Sequence, residues 1–229
     1  MTVAFDQVVV AVPDLDVAAA DYEQLFDCEL RKLQHADQAG QFLLPLANTC
    51  VAIVQADVEA PAVAGLVMRS SDHQGAELSV PNALGLSIEV CDAHQVSNGE
   101  PLPTLSKQQL SVDHVVLRTN DADACIDLFQ NRLGVRLALD KTVEKWGGRM
   151  LFFRSGKMTL EVIASDQVDV PAFWGIAYQC ADIEAFCAQA SQRGVTVSEI
   201  REGRKPQTLV ATIKSHCLGI PTLLIQQLV

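Results

Sequence analysis

The chain has 229 residues with 28 acidic and 17 basic side chains, and its formal net charge of −11 would repel a phosphate backbone or an anionic membrane. No apolar run reaches the roughly 18 residues needed to span a bilayer, and the first residues lack the basic region of a secretion signal. With 49% hydrophobic residues, the chain can build two small domains. We therefore expect a folded cytoplasmic protein that binds neither nucleic acid nor membrane.

A β-α-β-β-β pattern opens the chain. Residues 5–10 form an apolar, β-branched run typical of a strand. An Asp-rich stretch then precedes apolar residues at helical spacing, and aspartate in that place is a helix N-cap signal, so we predict a helix at 17–26. Three further strands are predicted near Leu30, at 41–44 and at 49–55.

The next part of the chain breaks this pattern. Residues 59–81 are predicted to form an irregular surface loop. Residues 85–92 are similar to 175–182 and predict the start of a truncated copy, and the Pro- and Gly-containing stretch after them indicates a linker. We therefore predict a degenerate N-terminal domain at 1–97, a linker at 98–110 and a C-terminal domain at 111–229.

The C-terminal part contains two more copies of the pattern, which together make it the more complete half of an internal repeat. Each copy begins with an apolar strand, followed by an aspartate N-cap and a helix, and Gly134 is a helix stop signal. The first copy has predicted strands at 112–117, near Leu137, at 149–154 and at 158–164, and a helix at 124–133. The second copy has predicted strands at 173–179, 195–200, 208–214 and 222–227, and a helix at 184–192.

Paired β-α-β-β-β units are the building plan of the vicinal-oxygen-chelate superfamily, which includes glyoxalase I, bleomycin-resistance proteins and extradiol dioxygenases, and this chain resembles that superfamily. The resemblance implies an α+β fold in which tandem modules form curled mixed sheets, each a half-open cup with helices outside, and the N-terminal domain is truncated. The segments that carry it are Asp113-His114-Val115-Val116-Leu117, Leu133-Gly134-Val135, Met158-Thr159-Leu160-Glu161-Val162 and Trp174-Gly175-Ile176-Ala177-Tyr178.

Two polar residues are predicted to face the C-terminal cup. Strand side chains alternate between faces, so His114 points away from Val115 and Glu161 points away from Leu160. The apolar faces suit the side covered by helices. His114 and Glu161 are therefore left on the open face.

The resemblance implies a metal held by the first and last strands of two paired units, and His114 and Glu161 fall on those positions in one unit. Imidazole and carboxylate suit divalent iron, manganese, nickel or zinc, which would polarise substrate oxygens. The partner unit has Gly175 where a histidine is expected and no carboxylate at 222–225. Three alternatives stay open: completion of the site in a homodimer, for example by Gln7 or His216; metal binding only together with a chelating substrate; or a metal-free, hydrogen-bonded His114–Glu161 pair.

Further residues are candidates for substrate binding. Arg118 lies on the strand face of His114, and the basic turn at 201–206 would suit an anionic substrate. Two tryptophans and a tyrosine are predicted near the cup mouth, where aromatic rings favour flat organic molecules, and Gly175 is predicted to leave space for a ligand. The candidates are Arg118, Trp146, Arg149, Trp174, Tyr178, Arg204 and Lys205.

Two functional hypotheses follow. The first is a glyoxalase- or dioxygenase-like protein, a lyase, isomerase or dioxygenase if it is catalytic, that binds a small oxygen-bearing, anionic molecule in the C-terminal cup. In this hypothesis His114 and Glu161 hold a divalent metal, or Glu161 acts as a general base. The alternative is a non-catalytic, bleomycin-resistance-type protein that binds a small molecule without metal. The seven cysteines lack metal-finger spacing and are predicted to be mostly buried apolar side chains.

Overall fold

The computed structural model describes residues 3–33, 40–75, 78–93, 110–143 and 148–228. Within them the chain forms two mixed β-sheets and few helices, which confirms the predicted fold class. The seven-stranded sheet has the order β2-β3-β4-β1-β5-β7-β6, and the eight-stranded sheet has the order β13-β14-β15-β12-β8-β11-β10-β9. The first sheet contains β1 (Val3–Val12), β2 (Arg31–Leu33), β3 (Gln41–Pro45), β4 (Cys50–Gln55), β5 (Ala62–Ser70), β6 (Leu78–Ser79) and β7 (Ser87–Asp92). The second contains β8 (Ser111–Thr119), β9 (Arg136–Val143), β10 (Gly148–Ser155), β11 (Met158–Ala164), β12 (Ala172–Gln179), β13 (Arg201–Glu202), β14 (Thr208–Ile213) and β15 (Thr222–Gln227).

Each helix begins at an aspartate, as the repeat predicts. The carboxylates of Asp14, Asp121 and Asp182 accept a hydrogen bond from a backbone N–H of the first helical turn at 2.9–3.0 Å, which satisfies one of the donors a helix start leaves unpaired. The helices are α1 (Leu15–Phe26), α2 (Ala122–Cys125), which continues as a π-helical segment (Ile126–Arg132), and α3 (Ile183–Gln192). No helix in the described residues is long and apolar enough to cross a membrane.

The prediction of a surface loop at 59–81 is wrong. This stretch contains β5, whose Leu66 and Met68 are buried, and β5 pairs in parallel with β7 through Gly65 and Ser87. Pro61, Ala62 and Gly65 have the same spacing as Pro171, Ala172 and Gly175 at the start of β12. The first strand of the second module is therefore β5, and residues 85–92 contain its last strand.

The prediction of a strand at 195–200 is also wrong. In this stretch Val197 forms one isolated bridge, to Ile213, and no continuous strand is present. The hydroxyl of Ser198 accepts from the N–H of Thr212 at 2.8 Å, so a side chain replaces part of the ladder. The remaining predicted strands and helices agree with the observed ones to within a few residues. Of the predicted linker at 98–110, only Leu110 belongs to the described residues, and the domain boundaries stay a prediction.

The chain divides into two compact units, each of which has its own buried side chains. The first unit comprises Met1–Val8, Ala64–Pro101 and His114–Trp174. Its buried rings include Phe129 of the π-helical segment and Phe153 of β10, whose centroids lie 5.3 Å apart. The second unit comprises Val9–Val63, Leu102–Asp113 and Gly175–Val229, and its buried rings include Tyr22, Phe26 and Tyr178.

Candidate functional site

The strand register decides which side chains share a face with His114. Strands β8 and β11 run parallel, with His114 opposite Thr159 and Val116 opposite Glu161, and side chains of opposed residues point to the same face of a sheet. The other face is the helix side, because Phe153 is opposite Leu160 and packs against Phe129. We call the open side the His114 face; it comprises His114, Val116 and Arg118 of β8, Thr159, Glu161 and Ile163 of β11, and Met150, Phe152 and Arg154 of β10.

His114 and Glu161 meet on this face. The imidazole Nε2 lies 3.5 Å from the carboxylate Oε2, and the two side chains are 17% and 19% exposed. Both groups are thus partly sheltered but still reachable from solvent. A carboxylate beside an imidazole can accept a proton from a bound molecule while the imidazole donates to, or accepts from, a second oxygen.

These two donors do not fit a resident divalent metal. A stable site usually has at least three protein ligands, and within the described residues no group of three or more His, Cys, Asp or Glu side chains lies close enough to hold an ion. The missing histidine has a steric reason, since a Cβ at Gly175 would lie 2.6 Å from the carbonyl oxygen of Pro221. The expectation that Gly175 leaves room for a ligand is therefore wrong, because the neighbouring backbone occupies that space.

Gly175→Ala should lower the free energy of unfolding by about 1–3 kcal/mol, because the added methyl group forces β12 away from Pro221, whose carbonyl also accepts from the N–H of Ile176 at 3.0 Å. Denaturant titration measures the change. Gly40→Ala is the matched control, since its Cβ would meet other atoms only at 3.6 Å or beyond, and it should cost under about 1 kcal/mol. Equal effects of the two substitutions would contradict the steric explanation.

Arg118 and Trp174 are in contact. The guanidinium carbon of Arg118 lies 6.0 Å from the centroid of the Trp174 ring, a cation–π arrangement, and Trp174 is 48% exposed. The structure therefore brings together two of the predicted substrate-binding residues. Tyr178 is different, because it is fully buried and its ring packs 5.0 Å from Phe26, so it is a core residue and does not line a cup mouth as predicted.

Two carboxylates hold Arg149, which is one of the predicted substrate-binding residues. It donates to Asp140 at 2.6 and 2.8 Å and to Asp123 at 2.7 Å. The hydrogen bond from Arg149 lowers the pKa of Asp140, and the bonds to Asp140 and Asp123 raise the pKa of Arg149. The guanidinium contributes to a shallow cavity of about 350 Å³, but its charge is already neutralised there. That cavity is lined by Asn120, Ala122, Thr142, Gly148, Arg149, Ala164, Ser165 and Asp166.

Three further residues were predicted to bind substrate. Arg204 and Lys205 lie in the exposed turn between β13 and β14, in the second compact unit, and their role stays a prediction. Trp146 lies outside the described residues. Arg154 was not among the predicted residues, and it is exposed and opposite Thr159 on the His114 face. The signal was available, since alternation along β10 places Arg154 on the side opposite Phe153.

A family model described as the glyoxalase/bleomycin resistance protein/dioxygenase superfamily matches residues 113–212, and no curated protein matches the chain. Among solved structures, a mutant of 4-hydroxymandelate synthase from Streptomyces coelicolor has a TM-score of 0.74 at 13% identity, covering 97% of this chain and 92% of that one. Methylmalonyl-CoA epimerase from Mycobacterium tuberculosis has a TM-score of 0.42 at 19% identity, covering 51% and 87%.

The first of these structures covers nearly the whole chain, and at 13% identity the likeness shows the fold. The family model covers the segment that contains His114, Arg118, Glu161 and Trp174. Both agree with the resemblance that the repeated β-α-β-β-β pattern carries. Residues 113–212 are therefore similar to the glyoxalase/bleomycin resistance protein/dioxygenase superfamily, and across the whole chain the likeness is one of fold.

Proposed function

We propose that this chain binds a small, oxygen-bearing, anionic molecule on the His114 face and that Glu161 acts there as a general base. The observation that carries the proposal is the pair of His114 and Glu161, which lie 3.5 Å apart and are partly sheltered. Both lie on the sheet face opposite the one covered by the π-helical segment. A carboxylate in that setting can remove a proton next to a substrate carbonyl, and His114 can hydrogen-bond the oxygen on which negative charge then develops.

The charge of the face supports an anionic ligand. The protein carries a net charge of −11, yet the nine described residues that define the His114 face include two arginines, Arg118 and Arg154, and one carboxylate, Glu161. Both arginines are exposed. Local positive charge in an acidic protein raises the local concentration of anions and orients them. The ligand is therefore a molecule with at least one negatively charged oxygen group.

Glu161→Gln should reduce proton abstraction at least about 100-fold, the low end of what a general base contributes. A panel of small 2-oxo acids and 3-oxo acids incubated in deuterium oxide would be followed by NMR for enzyme-dependent exchange of C–H for C–D. Thr159→Val, on the same face but without an acid or base, is the matched control and should keep most of the rate. Binding of a panel member without any exchange in the wild type would refute catalysis.

A second candidate function is metal-free binding without chemistry, as in the bleomycin-resistance type. The observation that favours it is the incomplete donor set, together with the backbone that fills the Gly175 position. Elemental analysis of protein purified without chelators, beside His114→Ala, tests the metal question for both candidates. We expect clearly substoichiometric metal in both samples. Near-stoichiometric metal that is lost in His114→Ala would contradict this and indicate a site completed by a second copy of the chain or by a bound molecule.

A further inference from the structure

Arg118 is positioned by an aromatic ring. Its guanidinium lies over Trp174, and no carboxylate pairs with it among the residues that the structure describes. Stacking on an aromatic face restrains the plane of a guanidinium while its N–H groups stay available at the edge. The side chain is thus restrained in orientation, and its charge is not compensated within the described part of the first unit.

The same unit contains an equivalent arginine in the other sheet. Arg69 is the penultimate residue of β5, and Arg118 is the penultimate residue of β8. Arg69 lies opposite Cys91 of the parallel strand β7, and Arg118 lies opposite Ile163 of the parallel strand β11; Cys91 and Ile163 are also penultimate in their strands. The next residue in each strand, Ser70 or Thr119, accepts a hydrogen bond through its carbonyl oxygen. The donor is the first backbone N–H after the neighbouring strand, that of Ala93 or Ser165, and both distances are 2.9 Å. Arg69 and Arg118 therefore occupy one position of the repeated module.

The residues that meet these two arginines are also equivalent. Asp6 contacts Arg69 and Trp174 contacts Arg118, and Asp6 and Trp174 stand at the same spacing before the N-cap aspartates Asp14 and Asp182. The Asp6 carboxylate lies 2.6 Å from a terminal nitrogen of Arg69. Burial raises the pKa of Asp6, and the charge of Arg69 opposes that shift. In one sheet the module thus neutralises its arginine with a carboxylate, and in the other a tryptophan stands in place of that acid.

We propose that Arg118, braced by Trp174, binds a carboxylate of the ligand, in the role that Asp6 has for Arg69. This inference rests on the proposed function for the position of the reacting group. Arg118 and Glu161 are two residues apart along the parallel ladder, about 7 Å of strand. The ligand is therefore a flat or slender carboxylate with a second oxygen function far enough away to reach Glu161 while its carboxylate pairs with Arg118. A planar guanidinium favours two parallel hydrogen bonds to a carboxylate.

The probe pair is para-hydroxybenzoate and its neutral analogue para-hydroxybenzamide, titrated with the full chain by ligand-observed NMR. The acid should bind at least about tenfold more tightly than the amide, and Arg118→Gln should abolish that preference. Lys157→Gln is the control: it removes a positive charge from the exposed turn between β10 and β11 of the same unit, six residues before Ile163, which lies opposite Arg118, and it should change the affinity less than about twofold. Trp174→Asp should weaken acid binding as much as Arg118→Gln, because it supplies an internal carboxylate, whereas Trp174→Phe should keep most of the affinity.

Equal binding of acid and amide, no binding of either, or an unchanged affinity in Arg118→Gln would overturn the inference. Stronger competition by inorganic phosphate than by the acid would overturn the choice of a carboxylate. Glu161→Gln separates this inference from the proposed function, since it should stop deuterium exchange while leaving acid binding within about threefold. If deuterium exchange depends on Glu161 but acid binding does not depend on Arg118, the proposed function stands and the role of Arg118 is refuted.

Discussion

Phe153→Ala should destabilise the fold by about 3–5 kcal/mol, the range for truncating a fully buried phenylalanine. Phe153 has no exposed surface and packs against Phe129 of the π-helical segment. Phe152, its neighbour on β10, is half-buried on the His114 face, so Phe152→Ala should cost about 1–2 kcal/mol. Denaturant unfolding of the two variants measures both values.

This pair of substitutions tests the face on which the candidate site lies. Phe153 is opposite Leu160, and Phe152 is opposite Glu161. The phenylalanine whose truncation lowers the free energy of unfolding more is therefore the one on the helix side of the sheet. A larger loss for Phe152→Ala would place Glu161 and His114 in the core and refute the open face. If the stability falls too far for equilibrium measurement, Phe153→Leu against Phe152→Leu gives the same comparison with smaller changes in volume.

Local sequence signals account for most of the fold. The three aspartate N-caps and the strand alternation are properties of short segments, and both were predictable from the residues themselves. The same alternation placed His114 and Glu161 on one face, where the structure has them 3.5 Å apart. Strand β5 was missed because Ala62, Ala64 and Gly65 have low strand propensity. Its small residues have a steric reason in the fold, since a Cβ at Gly65 would lie 2.5 Å from the carbonyl oxygen of Ser87.

The errors at the candidate site come from partners that are distant in sequence. Tyr178 was assigned to a cup mouth because it follows Gly175 on a strand, but Phe26 of α1 covers its ring. Arg149 was predicted as a substrate-binding candidate at the entry to a strand, but Asp140 and Asp123 neutralise it. Neither partner leaves a mark in the sequence around the residue it changes. Burial and ion pairing of single side chains therefore had to come from the tertiary structure.

The stability of the folded chain should fall as the pH rises above about 9, by several kcal/mol in total. Burial raises the pKa of the Cys125 and Cys180 thiols to about 11, and the two cysteines are 0% and 3% exposed. Burial also raises the pKa of Tyr22 and of Tyr178 above the usual range for tyrosine. In the unfolded chain the thiols lose their protons near pH 9 and the phenols near pH 10, while the folded chain still retains them.

The sign follows from that difference in bound protons. Where the unfolded state binds fewer protons than the folded state, a rise in pH favours unfolding, so this stabilisation is complete below about pH 9 and is lost as the pH rises through the folded-state pKa values. Each buried thiol accounts for roughly 1–3 kcal/mol over this interval. Denaturant titrations between about pH 7 and pH 10.5 measure the loss. Cys125→Ala should be less stable at neutral pH because it leaves a small cavity. Its stability should nevertheless depend less steeply on pH than that of the wild type. This smaller slope distinguishes thiol ionisation from the general charge repulsion of an acidic chain. A free energy of unfolding that stays constant to pH 10.5, or an unchanged slope in Cys125→Ala, would show that these thiols ionise as readily in the folded chain as in the unfolded one.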